Sequence, residues 1–312
     1  MISRRRFLGL AGAVPVLFVY APGATSRAVT EQGSPRIGLA LGSGGARGLA
    51  HILVLEMLDE LGVRPAGLAG SSIGSVIGAL YAAGRSGRAI RELFDRLLIN
   101  EADDWRDILG RKDLLRWFDF LDLDIGQGGL VGPESFLDYL VETMEAATFE
   151  DLDIPLQIVA ADLWTGRPVV FDRGDLRRAI AASIAMPGLF PPIRDQGNYL
   201  VDGGIANPVP YDLLLDRYDI VIAVDVLGER VPNEAEAPSM AQTIFASFNN
   251  MQRSILSAKL ADRSPDILIQ PDLRDVRVLE FYRAEDIYRQ AEPSIGPARD
   301  RLQALLSARA VR

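Results

Sequence analysis

Gly67-Leu68-Ala69-Gly70-Ser71-Ser72-Ile73-Gly74-Ser75-Val76-Ile77-Gly78-Ala79-Leu80 is the stretch whose reading decides the fold. Ala66 to Ala69 reads as a short buried strand, and Ile73 to Ala83 as an apolar helix closed by Gly84. Between them Gly70-Ser71-Ser72-Ile73-Gly74 has the G-x-S-x-G form of a nucleophile elbow. The flanking glycines Gly70 and Gly74 let the backbone turn sharply, and Ser72 is left projecting at the C-terminal end of the strand. Taken alone, the motif also describes an ordinary glycine-rich turn. The strand before it and the helix after it are what make it informative.

Working outward, Ile37 to Leu41 reads as another buried strand, and Leu49 to Leu58 shows helical spacing closed by Gly62. This strand-helix-strand-helix alternation predicts a three-layer α/β/α fold with a central, mostly parallel sheet. Downstream, Leu156 to Ala161 and Pro168 to Phe171 flank Thr165-Gly166 as a hairpin, Leu176 to Ala185 reads as a helix and Tyr199 to Val201 as strand. Ile220 to Val226 reads as a buried strand. Met240, Ile244, Phe248, Met251 and Ile255 share one helical face, read as core. Ala284 to Leu306 reads as a helix interrupted at Pro293 and Pro297. Residues 100–132 mix acids with Trp105, Trp117, Phe118 and Phe120 and are open to two readings: a helical excursion on the sheet, or an apolar cap over a cleft.

Residues 1–28 carry Ser3-Arg4-Arg5-Arg6-Phe7-Leu8, an apolar stretch from Phe7 to Tyr20, and small residues at Ser26 and Ala28. This pattern predicts a twin-arginine-type export signal, and hence a periplasmic or secreted protein; an uncleaved membrane-associated N-terminus is the alternative. Residues 29–35 would be a linker and 36–312 the folded domain. The net charge of −9 disfavours nucleic acid as a partner. The absence of cysteine removes disulfides, thiolate metal sites and a cysteine nucleophile. Neither a metal nor a cofactor is expected.

The chemistry follows from two further observations. Leu41-Gly42-Ser43-Gly44-Gly45-Ala46-Arg47-Gly48 lies between a strand and a helix, where backbone N–H groups suit an anion. Its glycine spacing is a poor dinucleotide fingerprint, no acid follows the next strand, and Gly-Lys-Ser/Thr is absent, so an oxyanion is the better guest. The single histidine, His51, precedes Ser72 and sits in the first helix, where packing is the bland reading. No histidine is left to serve as a late-chain base, so the proton acceptor must be of another type. A carboxylate is the obvious choice, and Val201-Asp202-Gly203-Gly204 puts one at a strand end.

Together these residues resemble the patatin-like phospholipases. The resemblance is carried by the glycine loop ending Arg47-Gly48, the elbow, the distant Asp202-Gly203-Gly204, Ala185-Met186-Pro187-Gly188-Leu189-Phe190-Pro191-Pro192, and Asn207-Pro208-Val209-Pro210. It spans about Ile37 to Asp225 and implies a Ser72–Asp202 dyad, with an oxyanion hole from Gly44, Gly45 and Ala46. Arg47 falls on the family's basic position. Ser43 departs from the pattern, where many members carry glycine. The implied activity is acyl-ester hydrolysis of a lipid, with transient contact at a membrane surface. The contrasting readings are a non-catalytic lipid- or protein-binding member of the same fold and a nucleotide-dependent oxidoreductase. Oligomeric state and acyl or head-group preference are not encoded in any motif.

Overall fold

The computed structural model describes residues 35–98, 141–229 and 240–310. The candidate export segment 1–28, most of the candidate linker, and the candidate cap at 100–132 lie outside the described residues.

Short runs of small and β-branched residues build the centre of the sheet. β1 (Ile37–Leu41), β2 (Gly67–Ser71) and β7 (Ile220–Val224) are buried along their whole length, as expected of parallel strands covered on both faces. β3 (Leu156–Asp162) pairs parallel with β2, and β8 (Ile267–Ile269) parallel with β7. The other three strands are antiparallel: β4 (Pro168–Phe171) on β3, β6 (Asn198–Asp202) on β3, and β5 (Ile193–Asp195) on β6. The mostly parallel, helix-flanked sheet expected from the sequence is therefore present.

Alternation along the strands decides which face each side chain serves. Ile37, Leu39 and Leu41 of β1 and Ile220, Ile222 and Val224 of β7 enter the larger core. Against that face lie α1 (Ala50–Glu60), α2 (Ile73–Ala82), α3 (Gly87–Leu98), α4 (Leu176–Ser183), α6 (Ala284–Ala291) and α7 (Ile295–Ala310). The intervening Ala40, Ala69 and Ala223 point the other way, where small side chains admit Val209, Tyr211 and Leu256 of α5 (Met240–Asp262).

Three details differ from the sequence reading. The α5 stripe is not core: Ile244 is 53% exposed and Met251 51%, and burial falls instead on Gln252 and Leu256. Pro293 does interrupt the C-terminal helix through a three-residue 3-10 turn. Pro297 does not, because it sits in the first turn of α7, where its missing N–H has no intrahelical partner to lose. The helix α3 and the strands β5 and β8 were not anticipated; the two strands are only three residues long and show no alternation.

Candidate active site

The elbow is built by a steric conflict that only glycine resolves. A Cβ on Gly74 would lie 2.1 Å from the Leu41 carbonyl oxygen, so α2 can approach β1 this closely only without a side chain there. The turn forces Ser72 to φ 53° and ψ −125°, a strained backbone for a residue with a Cβ. Such strain persists only where the surroundings enforce it. Here the Ser72 N–H donates to Ser183 Oγ at 2.9 Å, and the Ser183 hydroxyl donates to the Val159 carbonyl of β3 at 2.6 Å. Ser75 Oγ donates to the Ser72 carbonyl at 2.6 Å.

The register of β3 brings the acid to the serine. Val159 pairs with Ser71 of β2, and the next residue, Ala160, pairs with Asp202 of β6. Ile158 and Val159 pair with both β2 and β4, whereas Ala160 and Ala161 pair with both β4 and β6. β2 and β6 therefore share one edge of β3, end to end, and their last residues meet. Ser72 Oγ donates to Asp202 Oδ2 at 2.6 Å. The other carboxylate oxygen, Oδ1, accepts the Gly204 N–H at 2.8 Å, and the Asp202 N–H donates to the Ala185 carbonyl at 2.9 Å. Burial pushes the Asp202 carboxyl up to about 6, against the opposing pull of the Ser72 and Gly204 hydrogen bonds. Behind it, Lys259 of α5 donates to the Val209 carbonyl at 2.8 Å and also to Asn207 and Asp212, pinning the turn that follows Asp202.

The glycine loop sorts its N–H groups into two sets. Those of Gly42, Ser43 and Ala46 are committed to the carbonyls of Val224, Pro208 and Val278, at 3.0, 2.8 and 2.8 Å. Ala46 is thus corrected from an oxyanion donor to a residue that shapes the loop. Gly44 and Gly45 line the cleft with Ser72, and Gly45 must be glycine on two counts: its φ is +58°, and a Cβ there would meet the Val278 carbonyl at 2.1 Å. Gly48, Gly70 and Gly203 likewise stand where a side chain would strike neighbouring atoms. Arg47 is buried; its Nε donates to the Gly44 carbonyl and a terminal nitrogen to Asn249 Oδ1, both at 3.3 Å, so it braces the loop against α5. His51 is more than a packing residue. Its Nε2 lies 2.8 Å from the Gly42 carbonyl, which only accepts, so Nε2 carries the proton and the ring anchors the loop. Burial holds this imidazole down at about 4, neutral at ordinary pH.

These parts open on a cleft of about 790 Å³ including its open mouth, walled by apolar side chains such as Val76, Met186, Phe190, Phe245 and Phe248. Its apolar lining suits an acyl chain. The sequence reading missed Ser183, which carries no local signal, and the α5 wall. Phe245, Phe248, Asn249 and Gln252 recur at helical spacing, and that second stripe was legible. Among the described residues no group of three or more acidic or histidine side chains is placed to hold a metal ion, and no helix is long and apolar enough to cross a membrane.

The family model for patatin-like phospholipase matches residues 39–215, over half of the chain. An "Uncharacterized NTE family protein" of Mycobacterium tuberculosis is 39% identical over 208 residues, covering 66% of this chain and 53% of that protein. The neuropathy target esterase sws of Drosophila melanogaster is 31% identical over 61% of this chain, and 13% of that protein. A lysophospholipase of Aspergillus fumigatus is 31% identical over 81% of this chain and 17% of that protein. The chain thus spans about half the length of the mycobacterial relative and far less of the others. Among solved structures, VipD of Legionella pneumophila aligns over 85% of this chain and 67% of that one, at 15% identity and a TM-score of 0.46.

Proposed function

Because the chain belongs to the patatin-like phospholipase family, we propose that it is a serine acyl-ester hydrolase that cleaves lipid esters through Ser72 and Asp202. The observation that carries this reading is the 2.6 Å hydrogen bond from Ser72 Oγ to a buried carboxylate, at a residue of strained backbone facing an apolar cleft. Asp202 takes the Ser72 proton as Oγ attacks the ester carbonyl, and then gives it to the departing alcohol. The Gly44 and Gly45 N–H groups hold the developing oxyanion, a term worth about 10²–10³ in rate per donor. An aspartate of ordinary pKa is a feeble base; the shift to about 6 supports the role by raising its basicity toward the working pH. The relatives' names point to lysophospholipid or phospholipid esters. With its apolar walls, the cleft would draw such substrates from a membrane surface.

Ser72→Ala should keep the fold and show no turnover of phospholipid, lysophospholipid or p-nitrophenyl esters above background, and it should resist a fluorophosphonate that labels the wild type. Retained turnover in the purified variant would remove Ser72 from the mechanism. We further propose that residues 1–28 direct export. Arg4→Lys with Arg5→Lys should then leave the protein in the cytoplasm of a bacterium with a twin-arginine pathway, read by fractionation; unchanged export would refute the route.

A further inference from the structure

Gln252 of α5 is 3% exposed and lines the cleft, yet its carboxamide makes no hydrogen bond with the described residues. Ser43, the departure from the family's glycine, is also buried and lines the cleft, and its hydroxyl is equally without a partner among them. Both polar groups face the cleft from an otherwise largely apolar wall, where a bound molecule can engage them. Their positions are specific. The Cβ that Gly204 lacks would lie 2.6 Å from Gln252 Nε2, 2.7 Å from Ser43 Oγ and 3.0 Å from Asp202 Oδ1. Polar atoms from α5, the glycine loop and the base thus converge over one bare Cα.

We propose that Gln252 and Ser43 seat the water that releases the acyl group from Ser72, a role confined to deacylation. The inference rests on the Ser72–Asp202 reading above. In the first half-reaction the nucleophile is Ser72 Oγ, already held by Asp202, and needs no further orientation. The second nucleophile is untethered, and ordering it is where positioning groups act. Gln252 donates from Nε2 to the water oxygen and the Ser43 hydroxyl fixes its tilt, leaving one water hydrogen toward Asp202. The water oxygen bonds to the acyl carbon as its proton passes to Asp202. The bond from the acyl carbon to Ser72 Oγ then breaks, Asp202 returns the proton to Oγ, and the free acid leaves.

Gln252→Leu and Ser43→Ala test this with p-nitrophenyl butyrate. The kcat/KM reports acylation and should stay within about twofold of wild type. The ratio of acylated to free enzyme, read by intact mass after acid quench at one subsaturating substrate concentration, should rise about tenfold, the effect of losing one good hydrogen bond from a single step. An unchanged ratio would overturn the proposal, and so would a kcat/KM that falls with kcat, which would place these groups on the leaving alcohol instead. Should Gln252→Leu fail to fold, Ser43→Ala removes only a hydroxyl and decides the matter. Wild-type Ser72 that does not react with a fluorophosphonate would overturn the underlying reading, and this inference with it.

Discussion

The turn at Ser72 and the turn at Asp202 look alike in sequence, each a polar residue at a strand end with glycine within two residues, but the fold treats them oppositely. Ser72 is held at φ 53°, where its backbone is strained, and its side chain reaches the cleft. Asp202 sits at φ −46° and ψ 130°, close to unstrained backbone, and is 2% exposed. The serine's stress is conformational and the aspartate's is electrostatic: one is bent into a half-buried position on the cleft, the other desolvated until its carboxyl is pushed up to about 6. In the proposed reaction, activating a weak nucleophile without histidine would use both: strain would present the hydroxyl, and burial would make the carboxylate basic enough to take its proton.

The largest effect that bears on this division comes from removing the charge while keeping the shape. Asp202→Asn should fold normally and lose about 10²–10⁴ in kcat, the usual scale of a general base, whereas His51→Gln should retain most activity. The reverse ranking in purified proteins would make the imidazole the base. The hydrogen bond of His51 Nε2 to the Gly42 carbonyl already commits its proton to the loop.

Titration separates the two kinds of stress. Activity should rise with pH through about 6 as Asp202 ionises, read from kcat/KM between pH 4 and 8. Stability has opposing contributions. The Asp202 pKa is raised by folding, so its contribution is present below the unfolded value of about 3.9 and is lost as pH rises through about 6. The His51 pKa is lowered by folding, so its contribution is present above about 6.5 and is lost as pH falls through about 4. In the wild type these nearly share a window and offset each other. In Asp202→Asn only the histidine slope remains, and Tm should climb more steeply from pH 4 to 6.5 than in the wild type. Parallel Tm profiles would show that Asp202 is not electrostatically stressed.

The smallest effect probes the conformational side. Ser183→Ala removes the group linking the Ser72 N–H to the Val159 carbonyl, leaving two buried backbone groups unpaired, and should cost about 1–3 kcal/mol in denaturant unfolding. Activity should fall with it by about tenfold while the pH midpoint stays in place, because the strained turn loosens and the base is untouched. A shifted midpoint would mean that the two stresses are not separable.

Sequence alone determined the parts that depend on local backbone. The elbow is legible from contiguous residues, because Gly70 and Gly74 flank the serine within one short motif. The glycine loop is similarly self-announcing, and the absence of a histidine after Ser72 points the base to another chemistry. What only the tertiary structure decided is everything that depends on register and burial. It put β2 and β6 end to end on β3, so that Ser72 and Asp202 meet. It also spent the Ala46 N–H on Val278, turned Ile244 and Met251 outward, and set the Asp202 carboxyl in a dry site. Those outcomes are sums over distant neighbours, chiefly β3, α4 and α5, and hydrogen-bond partners and desolvation belong to the packed chain as a whole.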